Sequence, residues 1–166
     1  MTFNITFNIT KKSGFTLIEM LVVVAIIAIM ATLSVPLYTN KIIAAQMSEA
    51  FGMLDEIKPG IKSYYRAYGN FPEDNTEVGL PKPEFLIGNY VKTITIEKGS
   101  IHILFGNKVH SDIKDKILSI RPQTVIGSPM SPISWACGNA EPPEGMSINS
   151  PNKTDIDLRY LPFNCR

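Results

Sequence analysis

The sequence predicts an α+β fold: one long N-terminal helix packed on a four-stranded antiparallel sheet, followed by a C-terminal loop that lies between two cysteines. Three observations carry the prediction. From Phe15 to Val35 the only ionisable side chain is Glu19, and the stretch has the roughly 20 residues that cross a bilayer as a helix. Beyond Pro36, apolar residues recur at spacings of three and four as far as Tyr68, the pattern of a helix with one buried stripe. After Asn89 come four short segments rich in β-branched residues and bounded by turn formers, which read as strands.

The chain opens on a leader, residues 1–14, which is set aside from the fold. It holds a small tandem repeat, Phe3-Asn4-Ile5-Thr6 and Phe7-Asn8-Ile9-Thr10, to which no role is assigned. Lys11 and Lys12 are the only charges before Gly14, and they place the N-terminus on the cytoplasmic side of a membrane. Residues 15–36 form the membrane-spanning helix and residues 37–166 an exported globular domain. Glu19 is costly inside a bilayer, roughly 2.5–3.5 kcal/mol at a helix centre and less near an end. It needs a partner, and the apolar stretch offers none. Were the chain cut between Gly14 and Phe15, the new Phe15 amine would lie one helical turn away.

Ile43, Met47, Ala50, Phe51, Leu54, Ile57, Ile61, Tyr64 and Tyr68 continue the helical beat, with Lys41, Glu49, Asp55, Glu56, Lys62 and Arg66 mostly between them. One helix is expected from about Phe15 to Tyr68, roughly 80 Å long at 1.5 Å per residue. Pro36 and Pro59 each remove a hydrogen bond and should bend it, and Gly69-Asn70 should end it. Gly69 to Asn89 is dense in proline, glycine and acids and reads as a surface connection. The expected strands are Tyr90–Ile96 and Ile101–Phe105 as a hairpin, Lys116–Arg121 stopped by Pro122, and Ile133–Cys137. By alternation with Ile101 and Ile103, His102 should face solvent. Asn139 to Asn164 has too little periodicity to hold itself, and a Cys137–Cys165 bridge would close it. An even cysteine count in an exported chain favours a disulfide, with a two-cysteine metal site as the weaker alternative.

Composition narrows the function classes. The length allows one domain, and removing the leader leaves Arg and Lys one short of Asp and Glu. Such a balance suits a subunit that packs against copies of itself and argues against a dedicated nucleic-acid binder. His110-Ser111-Asp112 has the residue types of a hydrolase triad, but sequence neighbours cannot supply its geometry. Asp155, Asp157 and Asn152 have the hard oxygens calcium prefers, yet read better as a solvated loop. Lys92, Lys98, Lys108, Lys114 and Lys116 are diluted by Glu97, Asp112 and Asp115. No catalytic residue, metal or cofactor is expected.

Gly14 followed by Phe15-Thr16-Leu17-Ile18-Glu19, with two lysines ahead, a long apolar run behind and a proline at Pro36, resembles the class III signal of type IV prepilins. Trp135 two residues before Cys137, and Leu161-Pro162 shortly before Cys165, resemble the C-terminal region of type IVa pilins, whose disulfide-bounded loop is surface-exposed. The resemblance implies the type IV pilin fold. It implies that a prepilin peptidase cuts Gly14 from Phe15 and methylates the new amine. It implies that Glu19 is neutralised in the filament by the Phe15 amine of a neighbouring subunit, which sets axial register because an unpaired buried charge costs several kcal/mol. The partners implied are this chain itself, other pilins, the peptidase and the assembly machinery of the inner membrane; contact with nucleic acid is left open. The chain is expected in the inner membrane as a single-pass protein before assembly and in an extracellular pilus afterwards. The expected role is a structural pilus subunit serving adhesion, motility or surface attachment. The same signal also occurs in minor pilins that bind DNA for transformation and in type II secretion pseudopilins.

Overall fold

The computed structural model describes residues 14–166, and the side chains of 34–37 are not described. The leader and its repeat lie outside the described residues. The chain divides into two compact units at Tyr38–Thr39. The first consists of the apolar part of α1 (Leu17–Tyr68); the second holds the rest of α1 and everything after it. The backbone is helical at both Pro36 and Pro59. At its C-terminal end α1 stops at Gly69, whose φ of 75° is the left-handed conformation a helix cap favours and whose N–H bonds to the Tyr65 carbonyl at 2.9 Å.

In the second unit the helical stripe is the floor of the core. Ile43, Met47, Ala50, Leu54, Ile57 and Ile61 are buried at spacings of four and three, against the inward residues of a sheet. Phe51 packs at the margin of this core, whereas Tyr68, in the last turn, is exposed, its ring tilted against that of Tyr64 at 4.6 Å between ring centres. The sheet runs in the order β1 (Val91–Glu97), β2 (Ser100–Phe105), β3 (Ile117–Val125), β4 (Ser134–Cys137), all antiparallel. Lys98 and Gly99 join β1 to β2 with φ values of 49° and 76°, the two positive angles of a tight hairpin turn. A bulge between Val91 and Thr93 adds a residue, so Val91 and Ile94 both reach the core although they are three apart.

Two expectations need correction here. β3 does not stop at Pro122 but runs through it, with Pro122 opposite Trp135. Backbone groups alternate sides along a strand: the Lys116 carbonyl accepts from Phe105 on the β2 side, the Ser119 carbonyl from Gly138 on the β4 side. Position 122 therefore turns to the β2 side, where pairing has already ended at Ile101–Ile120, and the proline deprives the ladder of no bond. Second, a two-residue strand that was not expected, β5 (Met146–Ser147), pairs with the far end of β3.

The connection from Gly69 to Asn89 is more tightly held than a surface link. The Asn75 side chain is buried; its amide oxygen accepts from the Ile96 N–H at 2.7 Å, and its amide nitrogen donates to the Ile94 carbonyl at 3.0 Å. It thus takes the place of a fifth neighbour along the outer edge of β1. Phe71 stacks on Tyr65 at 4.3 Å, and the hairpin glycine Gly99 leaves it room, since a Cβ there would lie 2.7 Å from its ring.

Candidate processing and assembly site

The helix start is built by two side chains, those of Thr16 and Glu19. Glu19 accepts from the Thr16 backbone N–H and from the Thr16 hydroxyl, both at 2.8 Å, and the Glu19 N–H returns to the Thr16 hydroxyl at 3.3 Å. This reciprocal arrangement, a Thr and a Glu three apart, is a capping box: it satisfies amide groups that the first turn of any helix leaves open. It corrects the expectation that the apolar stretch offers Glu19 no partner. The sequence carries the signature, Thr16-Leu17-Ile18-Glu19, a Thr followed three residues later by a Glu. The cap also fixes where the helix begins. Gly14 and Phe15 stand ahead of it in non-helical backbone, Phe15 is 79% exposed, and a Cβ on Gly14 would meet none of the described residues within 4 Å.

From Gly14 to Leu33 every residue is exposed among the described residues, so the apolar surface that follows the cap is left open on each face of the helix by them. The Thr32 hydroxyl is satisfied internally, donating to the Ile29 carbonyl at 2.7 Å. The segment is long and apolar enough to cross a membrane.

At the other end of the chain Cys137 and Cys165 form a disulfide across 28 positions, which removes the metal alternative for these two residues. The loop they bound is held by more than the bridge. Arg121 donates to the carbonyls of Gly138 at 2.9 Å and Ala140 at 2.7 Å. Ile156 and Leu161 are buried in the core. Asp155 N–H bonds to the Ile117 carbonyl, and the Ser119 N–H donates to Thr154 Oγ1, so this segment occupies the part of β3 that β4 does not reach. Gly138 has a φ of 58°, and a Cβ there would lie 2.4 Å from the Cys165 carbonyl oxygen.

His102 does not face solvent. Its side chain is 5% exposed, because the loop folds across the sheet face opposite the helix and covers it. The other singled-out residues are dispersed among local partners. His110 accepts from the Asp112 N–H, while the Asp112 carboxylate accepts from the hydroxyls of Ser111 and Tyr160. Asp155 pairs with Lys116, Asp157 with Arg159, and the Asn152 amide donates to Asn139. Lys92 pairs with Asp115.

A family model described as the prokaryotic N-terminal methylation motif matches residues 9–35, which include Gly14, Phe15 and Glu19. A second, described as pilin (bacterial filament), matches residues 44–166. The chain belongs to the pilin family. Among relatives, a type IV major pilin protein PilE of Neisseria gonorrhoeae is 32% identical, the match covering 95% of each chain. A fimbrial protein of Neisseria meningitidis serogroup B is 31% identical, again over 95% of both. The fimbrial protein EcpC of Eikenella corrodens is 28% identical over 93% of this pilin and 91% of its own length. This pilin is accordingly a structural subunit of a type IV pilus, with the α+β architecture its sequence predicts. Its methylation motif implies processing by a prepilin peptidase.

Proposed function

We propose that this pilin is a major subunit, cut between Gly14 and Phe15, methylated on the Phe15 amine, and assembled with copies of itself through residues 15–36. Before assembly it sits in the inner membrane as a single-pass protein with its N-terminus in the cytoplasm, where the assembly machinery takes it up. In the pilus it supports adhesion, motility or surface attachment. The observation that carries this reading is the pairing of an exposed Gly14–Phe15 bond with an apolar helix exposed on every side from its first turn. A surface of that kind must be covered by lipid or by other subunits. Glu19 fits the same scheme. Thr16 occupies part of its hydrogen-bonding capacity, and a carboxylate has room for a further donor such as a neighbour's N-terminal amine.

The test is the intact mass of the protein in sheared surface filaments, with and without reduction. A chain beginning at methylated Phe15 that gains two hydrogens on reduction is expected. A chain still carrying residues 1–14, or absent from the filaments, would overturn the proposal. Glu19→Val is expected to insert in the membrane normally yet give few or no filaments by electron microscopy; normal piliation would remove Glu19 from any role in register.

A further inference from the structure

The sheet face opposite α1 carries a buried imidazole seated under a strap of the disulfide loop. His102 on β2 and Ser119 on β3 stand opposite each other in register, with His102 Nδ1 2.8 Å from Ser119 Oγ. The strap lies over them. The Ser100 hydroxyl donates to the Pro151 carbonyl at 2.8 Å, the Lys153 N–H donates to Ser119 Oγ at 2.8 Å, and the Ser119 N–H donates to Thr154 Oγ1 at 3.0 Å. The Lys153 ammonium pairs with Glu97 at the end of β1, and the same carboxylate oxygen lies 3.7 Å from His102 Nε2. Nε2 itself is buried and has no hydrogen-bond partner among the described residues. Thr93, Thr95, Leu104 and Ile117 complete the walls of this cleft. The charged groups facing the ring are thus Glu97 and Lys153, with Lys98 acting on Glu97.

The proton arrangement follows from these bonds. Ser119 Oγ already accepts from the Lys153 N–H, and the acceptor within reach of its own proton is His102 Nδ1. The ring is then neutral, with its proton on Nε2 toward Glu97. When a second proton binds at Nδ1, both ring nitrogens become donors. Ser119 Oγ must then accept twice, and its hydroxyl proton loses its acceptor in a buried place. The imidazolium also draws Glu97 away from Lys153 and repels the Lys153 ammonium.

We propose that Pro151–Thr154 is an acid-released latch: protonation of His102 breaks the strap's seat on Ser119 and Glu97, and the strap lifts while the disulfide and the helix-side core stay closed. Burial and the Lys153 charge push the His102 pKa below its ordinary 6.5 in the closed form, so an open form binds the proton more tightly and acid favours opening.

The test is amide hydrogen exchange of the full chain in detergent micelles between pH 7.5 and 5, with rates corrected for the intrinsic pH dependence of exchange. The amides of Lys153 and Ser119 are expected to lose protection by up to about tenfold per pH unit below 6.5, levelling off below the closed-form pKa. Those of Ile103 and Leu118 are expected to hold. His102→Gln is expected to abolish the pH dependence, and Glu97→Gln to keep it. Flat protection of Lys153 and Ser119 in the wild type would overturn the latch. So would an undiminished fall in His102→Gln, or its loss in Glu97→Gln, either of which would assign the effect to the carboxylate. Should His102→Gln fail to fold, the wild-type imidazole resonance decides: titration in step with strap opening supports the latch, and titration apart from it overturns it.

Discussion

Asn75 closes the outer edge of β1 with one amide. Replacing it with Ala leaves the Ile96 N–H and the Ile94 carbonyl unpaired in a buried position, at about 1–3 kcal/mol for each group so stranded. Asn75→Ala is therefore expected to lower the urea midpoint of the globular domain clearly. Asn75→Asp, which keeps an acceptor for Ile96 and loses the donor to Ile94, should be damaging as well. An unchanged midpoint in Asn75→Ala would mean that water takes over both groups. Nothing in the local sequence distinguishes Asn75 from the loop residues around it, because its partners on β1 lie 19 and 21 positions away. His102 makes the same point from the other side. Alternation correctly turns it away from the helix, but it takes Pro151 and Lys153, some fifty residues on, to bury it. Local pattern assigns a residue to a face of a strand and is silent about what covers that face.

Among elements, α1 was the most legible. Its stripe is set by composition and period over many turns, so no single misread residue shifts it. Its start depends on two side chains. Thr16→Ala removes the cap at about 1 kcal/mol and should fray Leu17 to Glu19, read as a loss of helical backbone chemical shifts there in micelles. Retained helical shifts would show that the lipid-facing turn needs no cap. The four longer strands were legible in approximate place, with β1–β4 each within a few residues of expectation. What failed were features set by neighbours: the bulge at Lys92, the passage of β3 through Pro122, and the pairing of β5. A proline breaks a ladder only on the side its nitrogen faces, and which side that is depends on the partner's end.

For the molecule as a whole, the disulfide is one of several restraints on the C-terminal loop. Closing 28 positions contributes roughly 3–4 kcal/mol in the chain-entropy account. Cys165→Ser is expected to lose about that much in denaturant unfolding and to lower the amount of stable subunit. Since Arg121, Ile156 and Leu161 also hold the loop, the variant should keep its sheet by circular dichroism. Collapse of the whole domain would show that those contacts depend on the bridge. The loop has too little periodicity for a pattern to show what holds it; its anchors are isolated residues, each meaningful only beside a distant partner.

The occupied strand edges have a consequence for polymer chemistry. Subunits awaiting assembly would be crowded in one plane of lipid, where open backbone edges join sheet to sheet into aggregates that rarely come apart. In this chain Asn75 and Gly88 take up outer groups of β1, and Thr154 and Asp155 take up the start of β3. Growth by backbone zippering along these edges is thereby discouraged, and assembly through the helix, as proposed above, would proceed by side-chain packing. Contacts of that kind can be made and undone one subunit at a time.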